Sequence, residues 1–145
     1  MSFVTSFQVS ASGLEAQRLR MDLASMNLAN AQTTHGPDGK VYQKVKPVFE
    51  TRPLEFGNAL EKEMGIELQA VAVSSIQKDT TPPRRSYDPG HPDADKDGFV
   101  SLPNVNLMEE MADMMLASRA YEANVTAFNT TKGIALKALE LGKNG

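Results

Sequence analysis

Residues 106–142 read NLMEEMADMMLASRAYEANVTAFNTTKGIALKALELG, and counting along them by threes and fours decides the fold. From Met111 a stripe runs through Met114, Ser118, Tyr121, Val125, Phe128, Lys132, Ala135 and Leu139, with Leu107 one step upstream. That spacing predicts one long helix with a coiled-coil-like seam. Asn106 and Glu109 stand at capping-box spacing, which predicts that the Asn106 carboxamide accepts from the N3 amide while Glu109 reaches back to the Asn106 amide. Pro103 excludes an earlier start. Glu109, Glu110 and Asp113 fall at the positive end of the helix dipole, Lys132, Lys137 and Lys143 toward its negative end, and Gly142 is the expected stop.

The other end of the chain carries a matching pattern. Phe3, Phe7, Ser10, Leu14, Gln17, Met21, Ala24, Leu28 and Ala31 recur at alternating steps of four and three. This helix starts either at Phe3 or near Gly13, because Ser12 and Glu15 offer a second capping box and Gly13 lowers helix propensity. At about 1.5 Å per residue the two segments make rods of roughly 43 and 54 Å, lengths that suit pairing. The fold class read from this is α+β: paired N- and C-terminal long helices in a coiled-coil-like bundle with a small β-rich middle domain. Residues 1–32 plus 105–145 form the helical domain, and 33–104 the hairpin-rich middle with a Pro-rich loop.

In the middle the period changes. The cluster His35-Gly36-Pro37-Asp38-Gly39 is a turn, followed by Val41, Val45 and Phe49 on one side of an extended stretch. A second strand places Ile66, Leu68, Ala70 and Ala72 on one face and Val71 and Val73 on the other. A short third extended piece covers Phe99 to Leu102. Between them, Asn58 to Gly65 reads as a helical turn or a loop, and Thr80 to Pro92 as a Pro-rich loop.

Composition narrows function. The chain has 145 residues, 41% apolar and 23% charged, with a net charge of −3. No apolar run is long enough to span a membrane, and no basic region followed by an apolar stretch marks a secretory signal. With no cysteine, thiolate chemistry, disulfides and Cys-based zinc sites are absent. Lys40, Lys44, Lys46, Arg84 and Arg85 are too scattered for a nucleic-acid face. Asp93, Asp95, Asp97 and Gly98 imitate the first half of a calcium loop, but Asn104 stands where a bidentate Glu is needed and Pro92 and Pro103 block the flanking helices. An Asx-rich turn explains the same letters. His35 and His91 lack a third ligand or nucleophile and read as solvated loop residues. No enzyme, cofactor or metal site emerges.

Two blocks carry a family resemblance. SGLEAQRLRMDLASMNLANAQT, residues 12–33, resembles the first-helix signature of the bacterial flagellar rod and hook axial proteins through Ser12, Gly13, Ala16, Gln17, Arg20 and Asn27 to Asn30. YDPGHPDADKDGFVSLPNVNLMEEMADMMLASRAYEANVTAFNTTK, residues 87–132, resembles the proximal-rod members of that family. The carriers are Asp88 to Pro92 with Ala94-Asp95, then Gly98 to Val100, Pro103 to Asn106 and Arg119 to Asn124. The blocks cover about half the chain and agree in order and spacing. Phe99 departs from a commoner tyrosine, and Tyr42-Gln43-Lys44 from a more basic run.

The resemblance implies a structural subunit of the basal-body proximal rod that polymerises through its terminal helices, joins the inner-membrane ring to the distal rod and transmits torque. It implies as partners other rod subunits and copies of itself, the inner-membrane ring or export-gate adaptor at the rod base, and the flagellar type III export machinery, with no nucleic acid and no direct lipid contact. Its place would be the rod spanning the periplasm, reached without a cleaved signal peptide. The expected interface residues are Leu14, Met21, Ala24, Asn27, Leu28, Asn30, Met111, Met114, Tyr121, Asn124, Val125, Phe128 and Leu139. Small residues, Ala24, Ala29, Ala117, Ala120, Ala123 and Ala127, allow close helix approach. The asparagines, Asn129 among them, set register, since a buried amide without its partner costs about 1–3 kcal/mol. Two other readings remain open: a soluble helical adaptor holding one partner helix in a groove, and a calcium-binding module.

Overall fold

A computed structural model describes residues 3–36, 38–53 and 69–143. Among these residues two long helices bracket four strands: α1 (Phe3–Ala29), β1 (Val45–Pro53), β2 (Gln69–Lys78), β3 (Arg84–Tyr87), β4 (Phe99–Leu102) and α2 (Leu107–Lys143). The α+β architecture is as the sequence predicts, and α1 begins at Phe3. Ser12 does not cap a second start, because its hydroxyl donates to the Val9 carbonyl at 2.8 Å within the helix. Asn30 closes α1, its side-chain amide donating to the Met26 carbonyl at 2.9 Å. At the start of α2 the Asn106 carboxamide oxygen accepts from the Met108 amide at 3.1 Å, one position earlier than a capping box requires. Nor does Gly142 stop the helix, which runs on through Lys143.

The strands form two separate two-stranded sheets, β1 with β2 and β3 with β4. Val41 precedes β1, so the first strand begins later than the alternation suggests. Ile66, Leu68 and Asn58 to Gly65 lie outside the described residues. The third expected strand is β4, and its antiparallel partner is new: β3 lies inside the expected Pro-rich loop, pairing Arg84 with Leu102 and Tyr87 with Phe99. A polar strand of four residues has no apolar alternation to announce it. Its cohesion comes from side chains that straddle the ladder. The Arg85 guanidinium sits 4.8 Å from the Phe99 ring centre, Tyr87 meets Phe99 edge-on at 5.3 Å, and Arg85 pairs with Asp95.

Backbone contacts divide the chain into two compact units. The first comprises the described residues of Met1–Leu19, Phe49–Ser74 and Ala117–Gly145. Here Phe7 meets Phe128 with ring centres 4.9 Å apart, and Gly13 lies under Asn124. As numbers rise along α1 they fall along α2, so the helices run antiparallel. The Ser12 hydroxyl also accepts from the Val71 amide at 3.3 Å, tying β2 to α1.

The second unit comprises Arg20–Val48 and Ser75–Leu116. Its helix segments are antiparallel too, with Arg20 opposite Asp113 and Asn27 opposite Glu110. Among the described residues the buried apolar side chains are mostly small, including Ala16, Ala24, Ala31, Ala70 and Ala117. Small side chains let helix backbones approach closely, at the cost of little buried apolar area.

Candidate assembly site

The buried line on α2 is not the greasiest one. Glu110 and Ala117 are buried and Met114, Tyr121, Asn124, Phe128, Thr131 and Ala135 half-buried, a four–three repeat that shares Met114, Tyr121, Phe128 and Ala135 with the stripe from Met111 and differs from it by one residue at the positions between. The shift follows from what each position meets. Ala117 is fully buried and Glu110 is 4% exposed, because a small residue and a paired charge are what the close helix contact accepts. The large apolar residues Leu107, Met111 and Leu139 are left on the exposed side.

Asn27 is the hub of the second unit. Its amide nitrogen donates to the Val45 carbonyl and to Glu110 Oε2, both at 2.9 Å. Its oxygen accepts from the Val45 amide and the Tyr42 hydroxyl, both at 2.9 Å. Every hydrogen-bonding position of the buried carboxamide is therefore used, and β1, α2 and the segment before β1 are fixed to α1 together. Glu110 also pairs with Lys44, and both side chains are nearly buried. Burial, reinforced by the Glu110 charge, raises the Tyr42 phenol above its ordinary value. A second link, Arg20 to Asp113, is a two-pronged guanidinium–carboxylate pair. Its hydrogen bond raises the Arg20 guanidinium further.

The loop between β3 and β4 is an Asx-built turn. The Asp95 carboxylate accepts from the Asp97 and Phe99 amides at 2.9 Å each and pairs with Arg85. The Phe99 amide and its fellow donors hold that carboxyl below its ordinary value. Gly98 adopts φ 79°, and a Cβ there would sit 3.0 Å from the Tyr87 ring. His35 and His91 are not simply solvated: His35 Nε2 lies 3.2 Å from Asp93, and His91 Nδ1 accepts from the Asp93 amide at 3.1 Å. The Thr34 hydroxyl donates to Asp93 at 2.7 Å and is the main reason that carboxyl lies below its usual range. No group of three or more metal-ligating side chains occurs among the described residues.

Of the expected interface residues, Ala24 and Asn27 are buried. Leu14, Met21, Leu28, Asn30, Met114, Tyr121, Asn124, Val125 and Phe128 are half-buried. Met111 and Leu139 are exposed. The contacts between elements run through Asn27, Asn124 and Phe128, whereas Asn30 bonds only its own helix and exit turn. Tyr42, Lys44 and Glu110 escaped the sequence reading. No periodicity announces a lysine before a strand as the partner of a buried glutamate, and only the position of Glu110 on the 4–3 repeat through Ala117 hinted at it.

Elsewhere on α2 large apolar residues stand in water. Met108, Met115, Leu116, Leu139 and Leu141 are 76, 59, 60, 71 and 78% exposed. Exposed large apolar side chains in this number mark a surface for association.

Comparison with known proteins gives that association its setting. Residues 7–37 match the family described as flagella basal body rod protein, and residues 96–141 match the flagellar basal body rod FlgEFG protein C-terminal family. The class is thus the rod proteins of the flagellar basal body. The flagellar basal-body rod protein FlgC of Borreliella burgdorferi is 45% identical, the alignment covering 97% of this chain and 98% of that one. Those of Bacillus subtilis and Salmonella typhimurium are 41 and 37% identical, with 99% of this chain and all of each relative covered. The chain belongs to the FlgC family of flagellar basal-body rod proteins. It is a structural subunit, and the basal-body rod is its location.

Proposed function

We propose that this chain works in the proximal part of the rod, polymerising through its terminal helices to join the inner-membrane ring to the distal rod and carry torque. The observation that carries the reading is the exposure of large apolar side chains along α2, Met108 and Leu139 foremost. A neighbour that covers them removes apolar surface from water at about 25 cal/mol per Å². The partners are other rod subunits and copies of itself, with an inner-membrane ring or export-gate adaptor at the base. The type III export machinery delivers the chain. Residues 1–32 with 105–145 act as the axial core, 33–104 as the middle domain, and neither carries out catalysis.

The interface residues divide by depth. Ala24, Asn27, Asn124 and Phe128 position the helices, and Met111 and Leu139 meet neighbours. Leu139→Asp, at a site 71% exposed, should leave helix content unchanged. It should also reduce the chain recovered in purified basal bodies and swimming in soft agar by about tenfold or more. Normal incorporation and swimming would overturn the axial reading. A soluble one-to-one complex with a single partner helix would favour the adaptor instead.

A further inference from the structure

Among the described residues, the antiparallel register carries one end of α2 past the start of α1. Phe7 lies opposite Phe128, so Phe3, where α1 begins, is level with about residue 132, while α2 continues to Lys143. Some 11 residues, about 16 Å of helix, extend past the start of α1. Along this overhang Ile134, Leu136, Leu139 and Leu141 are 55, 51, 71 and 78% exposed. At about 100° per residue these four, with Ala135 and Ala138, spread over an arc of roughly 220°. A helix packing on a single neighbour needs a stripe of only about 100°. An arc of twice that width calls for a socket made by two helices. Lys132, Lys137 and Lys143 lie on the same segment, with Glu140 the lone acid.

The second unit supplies a surface of the matching kind. Met108, Met111 and Met115 recur at three- and four-residue steps on one face of α2, 76, 46 and 59% exposed. Met26 of α1, 41% exposed, adjoins Asn27, which bonds Glu110 in the same stretch of α2. Exposed methionines repack around whatever apolar shape enters. The carboxylate beside them, Glu109, is exposed and opposite in sign to the overhang lysines.

We propose that the α2 overhang of one copy docks on the methionine face of a second copy of this chain. The inference rests on the rod reading and deepens it by naming the two surfaces that meet. Each copy carries both halves, so one kind of contact covers both exposed faces. Joined head to tail, the contact is heterologous and runs along a series of copies, which separates it from a reciprocal exchange that would close a symmetric pair.

The chain has no native cysteine, which makes the test clean. Leu139→Cys and Met111→Cys are introduced singly and together, and basal bodies are purified, oxidised and analysed without reductant. The expected result is a ladder of disulfide-linked copies from the double variant, and a dimer when the two single variants are co-expressed. Either single variant alone should give at least tenfold less. Leu136→Cys with Met108→Cys should repeat the pattern, which guards against one poorly placed pair. A dimer from one single variant alone would mean a symmetric contact and overturn the proposal. So would a bond to a different protein, or no bond in either pair. Absence of the wild-type chain from basal bodies would sink the rod reading itself, a result separate from the cross-linking pattern.

Discussion

The two units hold the same pair of helices together by different means. In the first, contact between them is made by shape: a glycine under an asparagine and two rings at 4.9 Å. In the second it is made by polar pairing, with Asn27 bonded on every side, Glu110 paired to Lys44, and Arg20 forked onto Asp113. Shape contacts tolerate small shifts, since apolar burial is non-directional. Buried polar contacts do not, because a slipped register leaves each group desolvated and unpaired. The second unit is therefore the less tolerant of a slipped register.

The sharpest way to break that contrast is to remove the hub. Lys44→Met leaves the Glu110 carboxylate buried without its cation and should cost about 3–5 kcal/mol. Asn27→Leu strands the Glu110, Val45 and Tyr42 groups together and should cost a similar amount. Chemical denaturation of the purified chain, read by circular dichroism, measures both. The double variant should cost clearly less than the sum of the two, because both changes unpair the same glutamate. Simple additivity would show that the network is not a single unit.

A smaller effect tests the first unit. A Cβ on Gly13 would lie 2.9 Å from the Asn124 side-chain nitrogen, close enough to force a shift. The obstructing atom is the end of a side chain that can rotate, and alanine is worth about 1 kcal/mol over glycine inside a helix. Gly13→Ala should therefore fall within about 1 kcal/mol of neutral. Gly13→Ala combined with Asn124→Ala should be more stable than the two separate effects predict, since the second change removes the obstruction created by the first. A strongly destabilised Gly13→Ala would mean that the Asn124 amide is locked in place, making this contact as directional as those of the second unit.

Much of this was legible beforehand, and what was missed follows one physical rule. Long amphipathic segments declare themselves through period, so both helices and their pairing could be read, and Asn27 is a position where an expected amide finds its partners. Period does not say which of two adjacent lines is buried. Apolar content favours the line through Met111 and Leu139, whereas close approach selects Ala117 and a paired Glu110. β3 was illegible for a related reason: its stabilising contacts, Arg85 on Phe99 and Asp95, come from residues distant in sequence.

The smallest expected effect lies at the sheet margin of the second unit, where exposed charge replaces buried polarity. Lys46 reaches Asp79 at 2.9 Å, and the Asp79 carboxylate also accepts from the Thr81 amide at 3.0 Å. The Lys46 bond, then those from Thr81, hold the Asp79 carboxyl far below its ordinary range, and the same contact raises the Lys46 ammonium. A depressed carboxyl contributes stability above the unfolded-state value near ~4, and that contribution fades as pH falls toward the folded value. A raised ammonium contributes below about 10.4 and loses its share as pH rises beyond that. The pair should thus act as a plateau between about pH 5 and 9, bounded on both sides. Asp79→Asn should lower the thermal midpoint slightly on that plateau, less so in high salt, with the difference from wild type shrinking below about pH 4. If the difference kept its size in molar salt while still fading in acid, the charge-assisted turn bonds from Thr81, and not the ion pair, would account for the contribution of Asp79, and even this edge would belong with the directional contacts of the hub.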